Sequence, residues 1–346
     1  MFKIIKDFSV ADKRVLVRCD FNVPIDSNGN ILDDFRIKKS LLTIKYLVEN
    51  NAKVILTSHL GEPKGQVVAE LKMDKVAKRL SELLNFSIIK ENDCVGPEVE
   101  STSNKLEQGQ VLLLENLRFY KEETDCDLNF AKKLSYLAEI FVNDAFSVCH
   151  RNHASVAGVP KFLSSSAGLL LEEEISVLNK IIKNAEKPMI AIIGGKKVET
   201  KAKFIDKISE IADTVIISGL IKNEVLEKNI KFKNSGKIIG PISNLKDLDI
   251  SEETIKIFQE KILKARTILW NGPFGKFEEK KYANGSLEIA KAIIESKAFS
   301  VVGGGETVEF LKNQGIIEKF SHISTGGGAM ISYLSGDEMP GLDTLQ

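Results

Sequence analysis

The stretch Arg14-Val15-Leu16-Val17-Arg18-Cys19-Asp20-Phe21-Asn22 sets three consecutive aliphatic residues directly before a charged and polar run. An unbroken aliphatic run of this kind fits a strand covered on both faces, and the polar residues after it fit the strand's carboxyl end. Similar runs return at 54–56, 111–114, 140–142, 190–193, 215–217, 267–269 and 301–302. Between them, apolar residues at helical spacing mark 37–48, 71–84, 130–137, 198–211, 287–294 and 307–312. Strands alternating with helices predict an α/β fold of parallel sheets covered on both faces. In such sheets ligands bind beyond the carboxyl ends of the strands, so the residues after each run carry the functional reading.

Those residues are of two chemical kinds. The earlier runs lead into Arg18-Cys19-Asp20-Phe21-Asn22, Thr57-Ser58-His59-Leu60-Gly61, Glu115-Asn116-Leu117-Arg118 and Asn143-Asp144-Ala145-Phe146. The later strand ends read Gly194-Gly195-Lys196-Lys197, Ser218-Gly219, Asn271-Gly272-Pro273, Gly303-Gly304-Gly305-Glu306 and Gly326-Gly327-Gly328. Glycines opening a helix let backbone N–H groups approach an anion, and the helix N-terminus adds its positive dipole end. Several such loops in one half of the chain, one followed by Lys196, Lys197 and Lys201, favour a polyphosphate ligand. No G-x-x-x-x-G-K-[ST] and no strand-linked G-x-G-x-x-G occurs, which disfavours a P-loop enzyme and a standard dinucleotide-binding dehydrogenase. In the first half, Arg36, His59, Arg118 and Arg151 stand on separate loops. Guanidinium forks match carboxylate and phosphate, so this surface suits a small, multiply anionic metabolite whose hydroxyl Asp20 and Asn22 would bond. An anion surface in one half and a nucleotide-phosphate surface in the other fit phosphoryl transfer across a cleft.

The chain of 346 residues, 43% hydrophobic and 28% charged, is long enough for two domains and excludes a disordered or collagen-like protein. Its 48 basic and 48 acidic residues cancel, so no general nucleic-acid or membrane-surface binder is expected and any anion site must be local. Charges interrupt every apolar stretch and the N-terminus lacks the apolar core of a signal peptide, so the expected address is cytoplasmic. Cys19, Cys94, Cys126 and Cys149 are widely spaced and read as reduced thiols, and His150 and His153 read as polar loop residues. Ser164-Ser165-Ser166 reads as a break, 167–183 as one amphipathic helix, and Lys187-Pro188 as the punctuation before a new strand. That helix is a connector or hinge between domains, or an ordinary surface helix of one large domain.

The sequence closely resembles the phosphoglycerate kinase family. The resemblance is carried by Arg14 to Pro24, Asp34-Phe35-Arg36-Ile37, Ser58-His59-Leu60-Gly61-Glu62-Pro63-Lys64-Gly65, Glu115-Asn116-Leu117-Arg118-Phe119 and His150-Arg151-Asn152-His153-Ala154-Ser155. It continues through Gly194-Gly195-Lys196-Lys197-Val198, Trp270-Asn271-Gly272-Pro273, Gly303-Gly304-Gly305-Glu306-Thr307, Ser324-Thr325-Gly326-Gly327-Gly328-Ala329 and Pro340-Gly341. These motifs imply two Rossmann-like domains with parallel sheets joined by a hinge helix. The implied bounds are a phosphoglycerate-binding domain at 1–165, a hinge helix at 166–184, a shortened nucleotide-binding domain at 185–332, and a tail, 333–346, packing back on the first domain.

The resemblance also implies a reversible transfer between 1,3-bisphosphoglycerate and ADP, giving 3-phosphoglycerate and ATP with Mg²⁺, by a cytoplasmic monomer with neither nucleic-acid nor membrane partners. Phosphoglycerate would be held by Asp20, Asn22, Arg36, His59, Arg118 and Arg151. The nucleotide would meet Gly194, Gly195, Lys201, Gly219, Asn271, Pro273, Glu278, Gly303, Gly304, Gly305, Glu306, Thr307, Gly326, Gly327 and Gly328, with Glu306 also at the metal. Arg36 and Lys197 are the candidates for neutralising the moving phosphoryl group.

Four departures mark the chain. Glu62 stands where the family usually has Arg, Glu306 where it usually has Asp, and Ser218-Gly219-Leu220-Ile221 where it has a glycine run. The chain is also several dozen residues short, and the deficit falls between Glu224 and Thr267, where one weak strand at 237–239 and one helix at 252–263 are expected. Glu62 either weakens phosphoglycerate binding unless Lys64 replaces its charge, or points to solvent and pairs with a lysine. An altered nucleotide preference and a non-catalytic phosphoglycerate-binding or interaction protein on the same fold are the competing readings.

Overall fold

The computed structural model describes residues 2–195, 198–243 and 245–345. They form two compact units, one of residues 1–174 with 338–346 and the other of residues 175–337. The division falls inside the helix Leu169–Asn184, and residues 333–337 group with the second unit.

The first unit holds a six-stranded parallel sheet of β1 (Arg14–Arg18), β2 (Lys53–Thr57), β3 (Ile89–Lys90), β4 (Val111–Leu113), β5 (Ile140–Asn143) and β6 (Ser164–Ala167), ordered β3-β4-β2-β1-β5-β6. Its strands are apolar throughout because both faces are covered. Val15, Val17, Val54, Leu56, Val111, Leu113 and Val142 pack into one buried cluster, while Leu16, Ile55, Leu112 and Phe141, the residues between them, pack into another. The second unit repeats the plan with β7 (Met189–Ile193), β8 (Thr214–Ile217), β9 (Ile238–Ile239), β10 (Thr267–Asn271), β11 (Phe299–Gly303) and β12 (His322–Ile323), ordered β12-β11-β10-β7-β8-β9. The chain's single tryptophan, Trp270 on β10, is fully buried, with the rings of Phe310 and Phe320 at 6.5 and 6.2 Å.

In each sheet the strand order reverses beside the first strand, between β1 and β5 and between β7 and β10, and the strand ends there are level. Arg18 is opposite Thr57 and Asn143, and Asn271 is opposite Ile193 and Gly303. The loops after these strands therefore open side by side, where α/β sheets bind ligands.

Several elements depart from the sequence reading. Ser164-Ser165-Ser166 is not a break but most of β6, drawn into extended form by its ladder with β5 and covered by the Ile4 bridge to Ala167. The short strands β3 and β12 and the helices Pro97–Lys105 and Gly219–Glu227 carry too little apolar periodicity to stand out. The helix expected over 198–211 begins only at Ala202. The strand and helix expected in the shortened stretch are present as β9 and Glu252–Ile262.

One buried carboxylate ties β5 to the connecting helix. Asp144 Oδ1 accepts from the N–H groups of Leu170 (3.0 Å) and Leu171 (3.3 Å), in that helix's first turn, and a side chain on Gly168 would overlap it. Burial raises the Asp144 pKa to about 7, against the lowering effect of Thr43 and the two N–H groups. A raised carboxylate binds a proton in the folded state that the unfolded chain has released, so its contribution is complete below about pH 4 and is lost as pH rises through 7. The slope is at most about 1.4 kcal/mol per pH unit. Asp144→Asn cannot ionise, so its melting temperature relative to the native protein is expected to be higher at pH 8 than at pH 5. An unchanged difference would remove Asp144 from the pH dependence.

Candidate active site

Four loops of the first unit bring their polar residues together. Asp20, two residues past β1, is 2% exposed, and its Oδ2 lies 2.9 Å from Arg36 Nη1 and accepts from Ser147 Oγ at 2.5 Å. Arg36, second residue of the helix Phe35–Glu49, also donates to the carbonyl of Asn22 at 3.0 Å. Asn22 in turn accepts the Gly61 N–H on its Oδ1 at 2.8 Å, tying the loop after β1 to the loop after β2. His59 is buried, and burial together with Arg18, Arg118, Arg151 and Arg36 holds its pKa well below the ordinary value, so it is neutral.

Arg118 sits in the 3-10 turn Leu117–Phe119 after β4, held by Asn116, whose Oδ1 accepts its backbone N–H at 3.1 Å. Its Nη1 donates to the carbonyl of Gly61 at 2.8 Å, but its Nε and Nη2 are buried without a hydrogen-bond partner among the described residues. Unsatisfied buried guanidinium donors are costly, and an incoming anion would satisfy them. Among the described residues Glu62 pairs with no lysine: its Oε1 lies 3.2 Å from Arg118 Nη1 and 4.0 Å from Arg151 Nη1, with the side chain 71% exposed. A carboxylate of the chain itself thus stands against two of the arginines expected to hold the ligand.

His153 also belongs to this group rather than to a free loop. It is buried, its Nδ1 is 3.8 Å from Glu123, and burial with the surrounding arginines lowers its pKa to about 3. The sequence reading passed over Arg18, Glu123, Ser147 and Ser155, which lie behind the ligand-facing residues. The available signal was Arg18's position at the very end of β1, beside Asp20.

In the second unit the missing glycine side chains first make room for neighbouring backbone. A side chain on Gly194 would run into the carbonyls of Gly272 and Pro273, and a Cβ on Gly327 would come 2.8 Å from Gly304 Cα. Gly304 has φ +99°, a conformation that favours glycine, and lies beside Asn271, whose Nδ2 is buried without a partner among the described residues. Gly305 opens onto space and starts the helix Gly305–Asn313, with Glu306 exposed in its first turn. Lys201 Nζ donates to the carbonyl of Gly194 and to Asn271 Oδ1, and burial lowers its pKa to about 8, partly offset by Glu306. Gly303 packs on Met330, and Thr307, fully buried, takes the Gly272 N–H on its Oγ1 at 2.8 Å, so both brace the loops. Gly326 precedes and Gly327 and Gly328 open the helix Gly327–Leu334. Lys197 lies outside the described residues.

Beside these loops is a cavity of about 280 Å³, lined by Gly195, Gly219, Pro273, Glu278 and Glu306 among the expected residues. Its walls carry the apolar side chains of Leu220, Pro241, Leu245, Leu248, Ile250, Phe274 and Phe277, interspersed with the polar Ser218, Ser243, Lys246, Asp247 and Lys276. Asp249, also on the wall, is engaged by the N–H groups of Gly285 (2.9 Å) and Ile250 (2.8 Å). Among the described residues no group of three or more His, Cys, Asp or Glu side chains is placed to hold a metal ion, and no helix is long and apolar enough to cross a membrane. An exposed carboxylate beside glycine backbone fits Mg²⁺ held mainly by substrate phosphates, which needs only one or two protein carboxylates.

A family model described as phosphoglycerate kinase matches residues 5–237 and 224–337. The chain belongs to the phosphoglycerate kinase family. It is 43% identical to the phosphoglycerate kinase of Dictyoglomus turgidum over 388 aligned positions, covering 99% of this chain and 98% of that protein, and 40% identical to that of Coprothermobacter proteolyticus over 384, with the same coverage. Among solved structures, phosphoglycerate kinase from Coxiella burnetii matches with TM-score 0.86 and 31% identity over 100% of this chain and 99% of that one. That from Pyrococcus horikoshii matches with TM-score 0.88 and 33% identity over 100% and 98%. Membership makes the chain a phosphotransferase with a role in glycolysis, on the family's α/β fold of two parallel sheets. The alignments run longer than the 346 residues of the chain, and the two matched stretches overlap at 224–237, where the shortened interval begins.

Proposed function

We propose that the loops after β1, β2, β4 and β5 bind the phosphoglycerate end of the substrate and that the glycine loops after β7, β10 and β11 bind ADP or ATP. The observation that carries the first half is Arg118, with two buried guanidinium donors lacking a partner among polar residues from three other loops. Arg151 and His59 add further donors, while Asp20 and Asn22 face the substrate hydroxyl. In the second unit, the orphaned Asn271 Nδ2, Lys201 and the helix start at Gly305 support a phosphate cradle.

An acyl phosphate already carries a good leaving group, so the residues need only align donor and acceptor oxygens and neutralise charge on the moving phosphoryl group. Arg36 does this from the phosphoglycerate side and Lys197 from the nucleotide side; neither has to move a proton. Glu306, together with the nucleotide phosphates, would hold Mg²⁺, which would supply further charge neutralisation. We take the protein to be a cytoplasmic monomer without nucleic-acid or membrane partners. A coupled assay with purified protein, 3-phosphoglycerate, Mg²⁺ and ATP tests the reading: binding of 3-phosphoglycerate without turnover would reduce it to a binding protein.

Nucleotide preference follows from the cavity. Apolar walls accept any flat purine, whereas strong rejection needs a site built to hydrogen-bond one base. Ser243 Oγ, buried on the cavity wall with no partner among the described residues, can both donate and accept and so matches either purine. Leu220, 37% exposed on the cavity wall, supplies an apolar face where the family has glycine. ADP is therefore expected to be preferred over GDP by less than about a hundredfold in kcat/KM, or about 2.7 kcal/mol. A larger preference would mean that the shortened domain still reads the base.

A further inference from the structure

We propose that Arg18 is a positioning residue that fixes His59 as the tautomer with its proton on Nε2, so that His59 offers a neutral N–H donor to the anion site. The identity of the ligand rests on the phosphoglycerate reading above; the tautomer does not.

Arg18 closes β1 and is fully buried, so each of its N–H groups needs an acceptor. Nε donates to Ser155 Oγ at 2.8 Å and Nη1 to the carbonyl of Cys19 at 2.5 Å. Nη2 lies 3.1 Å from His59 Nδ1. A guanidinium has donors only and does not deprotonate in a protein, so the ring nitrogen facing it must accept. That leaves the imidazole proton on Nε2.

Arg18 is itself held from behind. Glu123, fully buried on the short helix Lys121–Thr124, accepts from Ser155 N–H at 2.9 Å and Ser155 Oγ at 2.6 Å, with Oε1 4.0 Å from Arg18 Nη2. Glu123, Ser155 and Arg18 thus form a buried chain ending on one edge of the His59 ring. A second proton on His59 is opposed by burial and by Arg18, Arg118, Arg151 and Arg36. The carboxylates nearest these cations are Glu123 at Arg18, Asp20 at Arg36, and Glu62 at both Arg118 and Arg151, and His153 Nδ1 lies 3.8 Å from Glu123. His59 is thereby kept from titrating across the range where histidine normally does, and the site's charge is left to its arginines.

The experiment is a two-bond ¹H–¹⁵N spectrum of the histidine rings in the full, ¹⁵N-labelled protein without substrate. The chain has four histidines, and His59→Gln identifies the signal. The expected result is an Nε2–H pattern unchanged between pH 5 and 8; an Nδ1–H pattern, or an imidazolium at pH 7, overturns the proposal. In Arg18→Met the His59 ring is expected to mix tautomers and to titrate within that range. Its KM for 3-phosphoglycerate should rise about tenfold and become pH-dependent, kcat should change less, and Arg18→Lys should recover part of the loss. A native-like ring spectrum in the folded methionine variant overturns the role of Arg18, and should that variant not fold, the native spectrum still decides. An Nε2–H ring in a protein that does not bind 3-phosphoglycerate would defeat the ligand assignment and leave the tautomer standing.

Discussion

Arg36→Ala is expected to lower turnover by roughly a hundred- to thousandfold, the effect of removing one charge-stabilising contact of about 3 to 4 kcal/mol from a transition state. The fold should survive. Arg36 is 30% exposed, and its ion pair with Asp20 is only partly desolvated, so the structural loss is of the order of 1 kcal/mol. Asp20 also keeps its bonds from Ser147 Oγ and the Asn22 N–H. The contrast between a large kinetic and a small structural effect is the signature sought: kcat in the coupled assay, with circular dichroism on the same sample. Lys197→Ala is expected to behave alike, on the sequence motif alone. Turnover within a few-fold of the native protein in either variant would take that residue out of the transfer step.

Glu62→Arg is expected to tighten 3-phosphoglycerate binding by about ten- to a hundredfold. Each unit of charge changed within about 6 Å of a phosphate is worth roughly 1 to 3 kcal/mol at an effective dielectric near 20, reduced by the exposure of the side chain. The geometry adds a second reason. Glu62 Oε1 rests on Arg118 Nη1, on the same guanidinium as the unpartnered Nε and Nη2, and faces Arg151, so its charge opposes an anion drawn to these arginines. Glu62→Gln, which keeps the shape and removes the charge, should give part of the gain, and the gain should shrink as salt is raised. Unchanged or weaker affinity in Glu62→Arg would mean that the carboxylate leaves the arginines freely and costs the ligand nothing.

The sequence displayed the central strands and one edge, β9, and concealed the other three edges. β1, β2, β5, β7 and β10 are covered on both faces, and unbroken aliphatic runs mark them. β6 is mostly serine, and β3 and β12 span two residues each, so their extended form comes from the neighbouring ladder rather than from their own composition. The same division holds in the site. His59 and Arg118 were legible because they directly follow strands. Arg18 was legible by its place at the end of β1 but not by its role, and Glu123 by neither, since a fully buried arginine and glutamate on those elements make sense only once Ser155 and His59 are placed beside them. Glu62 was legible as an anomaly, but its arginine partners were not. The glycine runs pointed correctly to close approach, yet much of that approach is between backbone segments of the protein itself.

The burial of Trp270 within the second unit gives the protein a built-in optical label. With no other tryptophan in the chain, intrinsic emission excited at the red edge of indole absorption originates from residues 175–337 alone, whereas far-ultraviolet ellipticity sums the helices of both units. Overlaying the two signals along a urea titration therefore separates the unfolding of the shortened half from that of the whole, without a fluorophore having to be attached.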